Sequence, residues 1–179
     1  MIHNHNSLPP IDPEHSVKLD VHTWSEHIEV NALRDAVWSE IPETTMDGFM
    51  RKMAMSESSG DPNAEITTPD GRTFTGLYQF GDLRLQDYRK ATGAKFTQDE
   101  FKQDEQLQQK VAEWHFTDIE DAIDALGSEA DGYDRDGLKA VAHLGGVGGM
   151  KKYVRTKGRY DPADALGTSL SDYYAKFSA

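Results

Sequence analysis

Cysteine is absent from the 179 residues, which removes disulfides and thiolate metal sites and leaves the redox compartment open. Also missing is any apolar run approaching the roughly 20 residues needed to cross a bilayer, so membrane insertion is not expected. Basic side chains are scarce, with 19 Lys and Arg against 31 Asp and Glu for a formal net charge of -12. The imbalance is concentrated, since residues 97–136 carry 13 acidic and 3 basic side chains while residues 137–179 carry 3 and 7. Phosphate binding needs Lys and Arg on the contact face, so nucleic acid is excluded as the main partner. The cluster Lys151, Lys152, Arg155, Lys157 and Arg159 reads as a solvated face. Repeats of 20 to 50 residues are absent, which excludes a solenoid.

Metal chemistry is equally poorly provided for. His3, His5, His15, His22 and His27 contain no i, i+4 pair of the kind a helical metal site uses. Asp134-Arg135-Asp136-Gly137 has the core of a calcium loop, but its register puts Gly132 and His143 where the first and last ligands belong. The string is expected to be an inter-helix turn, and neither metal nor cofactor is expected.

What is present is mostly helical periodicity. Residues 1–42 read as an extended arm around Pro9-Pro10 and Asp12-Pro13, followed by an amphipathic helix on Trp24, Ile28, Ala32 and Val37 that stops before Pro42. Residues 43–179 read as one helical domain. Met46, Phe49, Met50, Met53 and Ala54 recur at spacings of three and four and form one buried face. Asp82 to Thr92 predicts a helix closed by Gly93. Thr97 to Glu100 has capping-box form and opens an acidic stretch, one helix or two, with Phe101, Leu107, Val111, Trp114, Ile119, Ile123 and Leu126 inward. Leu138 to Leu144, Met150 to Thr156 and Ser169 to Phe177 are further short helices. The exception is Ile66 to Thr75, where β-branched and aromatic residues flank Pro69-Asp70-Gly71 and predict a β-hairpin. The fold class is therefore mainly α with a small β-hairpin (α+β).

Glu57 ends the Met46–Ala54 helix. A carboxyl group at that point is half desolvated yet able to face a cleft, and burial raises its pKa toward the range useful for general acid catalysis.

Three strings around it occur in a meaningful order. Glu57-Ser58-Ser59-Gly60 resembles the Glu-Ser motif of the lytic transglycosylase and goose-type lysozyme group. Gly76-Leu77-Tyr78-Gln79 is similar to that group's Gly-Leu-Met-Gln element, and Ala142-His143-Leu144-Gly145-Gly146-Val147-Gly148-Gly149 to its Ala-Tyr-Asn-Ala-Gly-Pro-Gly loop, with His143-Leu144 in place of Tyr-Asn. The resemblance covers about Met46 to Tyr153. It implies a lysozyme-like helical domain over 43–179 that cleaves peptidoglycan glycan strands between N-acetylmuramic acid and N-acetylglucosamine, with Glu57 as the catalytic acid and base. It further implies substrate contacts from Ser58, Tyr78, Gln79, His143, Gly145 and Tyr173, Tyr78 stacking on a sugar or serving the core.

The activity so implied is that of a lytic transglycosylase, since neither Asp61, Asp70 nor Asp82 matches a family second carboxylate. A hydrolytic muramidase is the alternative, and a non-catalytic glycan-binding or structural module of a phage virion or secretion apparatus is another, its partner held through the N-terminal arm. Met1 to Pro10 lack the basic start and apolar core of a secretory signal. The expectation is synthesis in the cytoplasm and delivery to the periplasm or cell wall by a virion, holin or secretion system.

Overall fold

The computed structural model describes residues 48–178. The arm and helix expected over 1–42, and Met46 of the Glu57 helix, lie outside the described residues. Within them the protein is mostly helical with one small antiparallel sheet.

Helix α1, Gly48–Ser58, buries Phe49, Met50, Met53 and Ala54, the face its sequence spacing predicts. It stops where Ser59 (φ 56°) and Gly60 (φ 78°) turn left-handed and send their amides back to the carbonyls of Met55 and Ala54. Three strands follow: β1 (Glu65–Thr67), β2 (Thr73–Thr75) and β3 (Phe80–Gly81). The predicted hairpin is present, with Ile66 opposite Phe74. Its turn works through Asp70, which accepts from the Arg72 side chain at 2.8 Å, and through Gly71 at φ 84°. Sequence missed β3, which is only two residues long and pairs Gly81 with Phe74. A side chain at Gly81 would crowd the Phe74 ring, so glycine lets the strands close there.

Helix α2 (Asp82–Thr92) leaves β3 directly and is closed by Gly93 at φ 73°, whose amide bonds Arg89. The acidic stretch resolves into two helices, α3 (Gln98–Gln103) and α4 (Glu105–Asp124). Thr97 and Glu100 form the predicted capping box, and Asp104 caps α4 by accepting from the Leu107 amide. Along α4, Val111, Ile119 and Ile123 are buried while Leu107 and Trp114 are half-buried.

Asp134, in the calcium-like string, caps helix α5 by accepting from the Gly137 amide, and Asp136 pairs with Lys139 at 2.7 Å. Helix α5 spans Arg135–Arg155 as two helical halves joined across a kink at Gly146, so the two expected helices are present and the glycine loop between them is shortened to that single break. Only Gly146 (φ 71°, ψ 167°) departs from helical geometry, and the helix resumes behind it. Packed residues on both sides, Ala140 to Ala142 and Met150, anchor the two halves around that one break. Helix α6, Leu170–Phe177, begins with a second capping box, Ser169 with Asp172.

The core is centred on Met53, Tyr78, Leu85, Phe101, Val111, Ile119, Leu138 and Met150, each at most 1% exposed. Phe49 of α1 meets Phe116 of α4 edge-on at 5.0 Å, an arrangement contributing about 0.5–1.5 kcal/mol beyond area burial.

Candidate functional site

Glu57 sits in the last turn of α1 with its side chain 12% exposed. Burial raises its pKa from 4.5 to about 7, against a hydrogen bond from Tyr173 and the charge of Lys176, which favour the carboxylate. Tyr173 of α6 donates its hydroxyl to Oε1. Its own pKa is pushed up, first by burial and then by the Glu57 charge, which keeps it a donor. Lys176, one turn on, donates to Ser56 at 2.6 Å and so ties α6 to the helix bearing the acid.

On the other side of the carboxyl, Nε2 of His143 lies 3.9 Å from Oε2. His143 belongs to the first half of α5, and its Nδ1 is 3.0 Å from Nε2 of His115 on α4. Nδ1 of His115 in turn accepts from Nε of Arg84 at 2.8 Å. Arg84 lies over the Trp114 ring with its guanidinium carbon 4.0 Å from the ring centre and pairs with Asp118 at 2.6 Å, which fixes its orientation. Burial lowers the pKa of both imidazoles, that of His143 to about 4 and that of His115 well below the usual value, so both are neutral near pH 7.

These two histidines form part of the wall of a cleft of about 760 Å³ between the β-hairpin and α5. Phe74 and Gln79 line it from the sheet side, Arg84 and Asp87 from α2, and Leu144, Gly146 and Val147 from the break in α5. Glu57 is not a lining residue of this cleft and meets it through His143.

The loop from Gly76 to Gln79 shapes the floor. Gly76 is left-handed at φ 85°, and a Cβ there would stand 2.5 Å from Oε1 of Gln108. Gln108, fully buried on α4, accepts from the Leu77 amide at 2.8 Å and donates to the Pro62 carbonyl at 2.9 Å. Ser58 also serves the loop, donating to the Leu77 carbonyl at 2.9 Å. Gln79 lines the cleft as expected. It is held at φ 48°, donates to the Gly76 carbonyl, and leaves Oε1 buried with no hydrogen-bond partner.

Two expected substrate contacts are corrected. Tyr78 is 0% exposed and donates to Gln109, so it belongs to the core and has no face left for a sugar. Gly145 does not line the cleft; a Cβ there would meet Leu170 at 2.7 Å, so its role is close packing of α5 on α6. The expected residues Glu57, His143 and Tyr173 do come together, whereas Ser58 turns to the Leu77 carbonyl.

Among the possible second carboxylates, Asp61 caps a local turn at Asn63, Asp70 is engaged with Thr68 and Arg72, and Asp82 accepts from Gln86. The carboxylate whose charge acts on Glu57 is Asp164, in the segment before α6, where it also accepts from the Leu166 and Thr168 amides. Sequence reasoning did not single out Asp164, Arg84, His115 or Lys176. His115 did leave a trace, a lone histidine in the buried stripe Val111, His115, Ile119. Among the described residues no group of three or more His, Asp or Glu side chains is arranged to hold a metal ion. No helix of the described residues is long and apolar enough to cross a membrane.

The chain matches no protein-family description, no curated protein and no solved structure.

Proposed function

We propose that the protein is a glycan-cleaving enzyme acting on peptidoglycan, with Glu57 as its acid and base. The observation that carries this reading is a buried glutamic acid with its pKa raised to about 7, held by a tyrosine hydroxyl and separated only by His143 from a cleft that a β-hairpin walls. A group with that pKa is present in both protonation states at neutral pH, as a residue that first gives and then takes a proton requires. The resemblance of its motifs to the lytic transglycosylase group supplies the substrate class.

In the proposed reaction Glu57 protonates the glycosidic oxygen as the bond from the muramyl C1 to that oxygen breaks, and N-acetylglucosamine leaves with the proton. The Glu57 carboxylate then takes the proton of the muramyl C6 hydroxyl as its oxygen bonds to C1. A 1,6-anhydro ring closes and Glu57 ends protonated, ready for the next turn. The Tyr173 hydroxyl stabilises the carboxylate between the two steps.

A hydrolytic reading is favoured by one observation, the Asp164 charge acting on Glu57. Hydrolysis commonly uses a second carboxylate, about 5–5.5 Å from the acid for retention or about 6.5–9.5 Å for inversion. Mass spectrometry of digested glycan distinguishes the two, because an anhydro end is lighter than a reducing end by one water. Anhydro ends are expected, with Asp164→Asn retaining turnover. Reducing ends lost in Asp164→Asn establish the hydrolase, and binding to purified walls with no cleavage product would show a glycan-binding module.

A further inference from the structure

The contacts from Arg84 to Glu57 have a direction. Guanidinium N–H groups donate and never accept. Since Nε of Arg84 lies 2.8 Å from Nδ1 of His115, that nitrogen must present its lone pair. A neutral imidazole carries one proton, so the proton of His115 is on Nε2, which faces Nδ1 of His143 at 3.0 Å. Nδ1 of His143 is thereby the acceptor, and its proton is on Nε2, the nitrogen 3.9 Å from Oε2 of Glu57; the one N–H of the ring also serves the backbone of Tyr78, which therefore reinforces the same tautomer. Two lone pairs or two protons facing each other at 3.0 Å between the histidines would be repulsive, so the assignment at one end propagates to the other.

We propose that Arg84 and His115 are positioning residues that hold His143 in its Nε2–H tautomer, so that a hydrogen-bond donor rather than a lone pair faces the carboxyl of Glu57. The role of this donor in turnover rests on the glycan-cleaving reading above; the tautomer itself does not.

The separation of 3.9 Å is longer than a direct hydrogen bond, and at that range the effect is that of an oriented dipole. The positive end of the N–H favours the carboxylate that Glu57 becomes on giving up its proton, whereas the other tautomer would set a lone pair against it. Tyr173 donates to Oε1, and the His143 dipole lies on the side of the second oxygen. Arg84 is fixed by Asp118 and Trp114, and His115 is wedged between Phe80 and Phe116 with ring centroids at 5.1 and 4.9 Å. Preorganised dipoles of this kind act without a reorganisation penalty at the moment of proton transfer.

The test is imidazole nitrogen NMR on histidine-labelled protein at a pH above about 7, where both rings are neutral. In the parent chain His115 and His143 are expected to show protonated Nε2 and bare Nδ1. Arg84→Met removes the donor that sets the direction, and His115 is expected to become a tautomer mixture, with His143 shifting in part because the Tyr78 backbone still favours its N–H. His115→Gln keeps an amide N–H for Nδ1 of His143 and should preserve the Nε2–H form there, while His115→Phe should not. Should the arginine variant not fold, the pair at position 115 carries the comparison.

On glycan, His115→Phe is expected to lower kcat about tenfold with KM unchanged, and His115→Gln to restore most of it. An Nδ1–H proton on His143 in the parent chain, or tautomers indifferent to Arg84→Met and His115→Phe, would overturn the proposal. A tautomer change without any change in kcat overturns its catalytic part. Absence of turnover in the parent chain counts against the glycan reading alone, since the NMR result stands independently of it.

Discussion

Tyr173 donates its hydroxyl to Oε1 of Glu57 across 116 positions of the chain. Tyr173→Phe keeps the ring and deletes the donor. A hydrogen bond to a charged acceptor contributes about 1.5–3 kcal/mol, and its loss falls on the carboxylate, so the Glu57 pKa is expected to rise by roughly one to two pH units. In a pH profile of glycan cleavage the basic limb should move upward while kcat at the optimum drops. A basic limb that stays in place would mean that Tyr173 does not set the acid.

Glu57 also leaves a mark on stability. Its folded pKa of about 7 exceeds the unfolded 4.5, so between those values the folded chain keeps a proton that the unfolded chain has released. Stability from this group is full below pH 4.5 and lost as pH rises through 7, a difference on the order of 3 kcal/mol. Glu57→Gln removes the titration. Urea unfolding of the variant and its parent should agree near pH 4 and diverge in the variant's favour by about 1–3 kcal/mol near pH 8. The histidines titrate alike in both proteins and cancel in the difference.

Gly76→Ala tests the brace beneath the loop. The new methyl meets Gln108 at 2.5 Å on a backbone already left-handed, and a loss of about 3 kcal/mol or more is expected from strain and displaced hydrogen bonds. Gly148→Ala is the opposite case. It lies in α5 with nothing within 4 Å, and alanine there should stabilise by about 0.5–1 kcal/mol. Equal melting temperatures for the two variants would contradict this division.

The acidic face is not uniform. Asp104 accepts from the Leu107 amide as the cap of α4, so Asp104→Ala should cost about 1 kcal/mol and Asp104→Asn much less. Asp121 lies exposed on the same helix with no such duty, and Asp121→Ala should stay within about 0.5 kcal/mol. Neither change should alter glycan cleavage beyond ionic screening.

The local elements were legible in sequence because their signals are local. Gly93 after Thr92, the Thr97 to Glu100 capping box and the Pro69-Asp70-Gly71 turn each name their own geometry within a few residues. Glu57 was singled out by its place at the end of an apolar helix face and by motif order, Tyr173 only by a loose match to a late tyrosine outside those motifs. Strand β3 was not, because two residues carry no period and Phe80-Gly81 pairs only once β2 is in place. The shortness of the break in α5 was obscured by its glycines, of which only Gly146 leaves helical geometry, while Gly137 and Gly145 pack closely on Tyr174 and Leu170. Tyr78 was ambiguous for the same reason, its burial being decided by Gln109 and Phe116 thirty or more positions away. Arg84 and His115 stood apart in sequence, and only the crossing of α2, α4 and α5 brings them into one line.

The two bonds that join α1 to α6, Tyr173 to Glu57 and Lys176 to Ser56, have a consequence in time. A chain made from its N-terminus emerges with Glu57 long before residues 170–177 exist, and until then its carboxyl group is an ordinary wet one, ionised at the pH of the cell. Burial raises its pKa, and the final helix, on docking, adds the Tyr173 hydroxyl and the Lys176 charge that draw it part of the way back. A chain ending short of Leu170 would therefore carry Glu57 without the two contacts that favour its carboxylate.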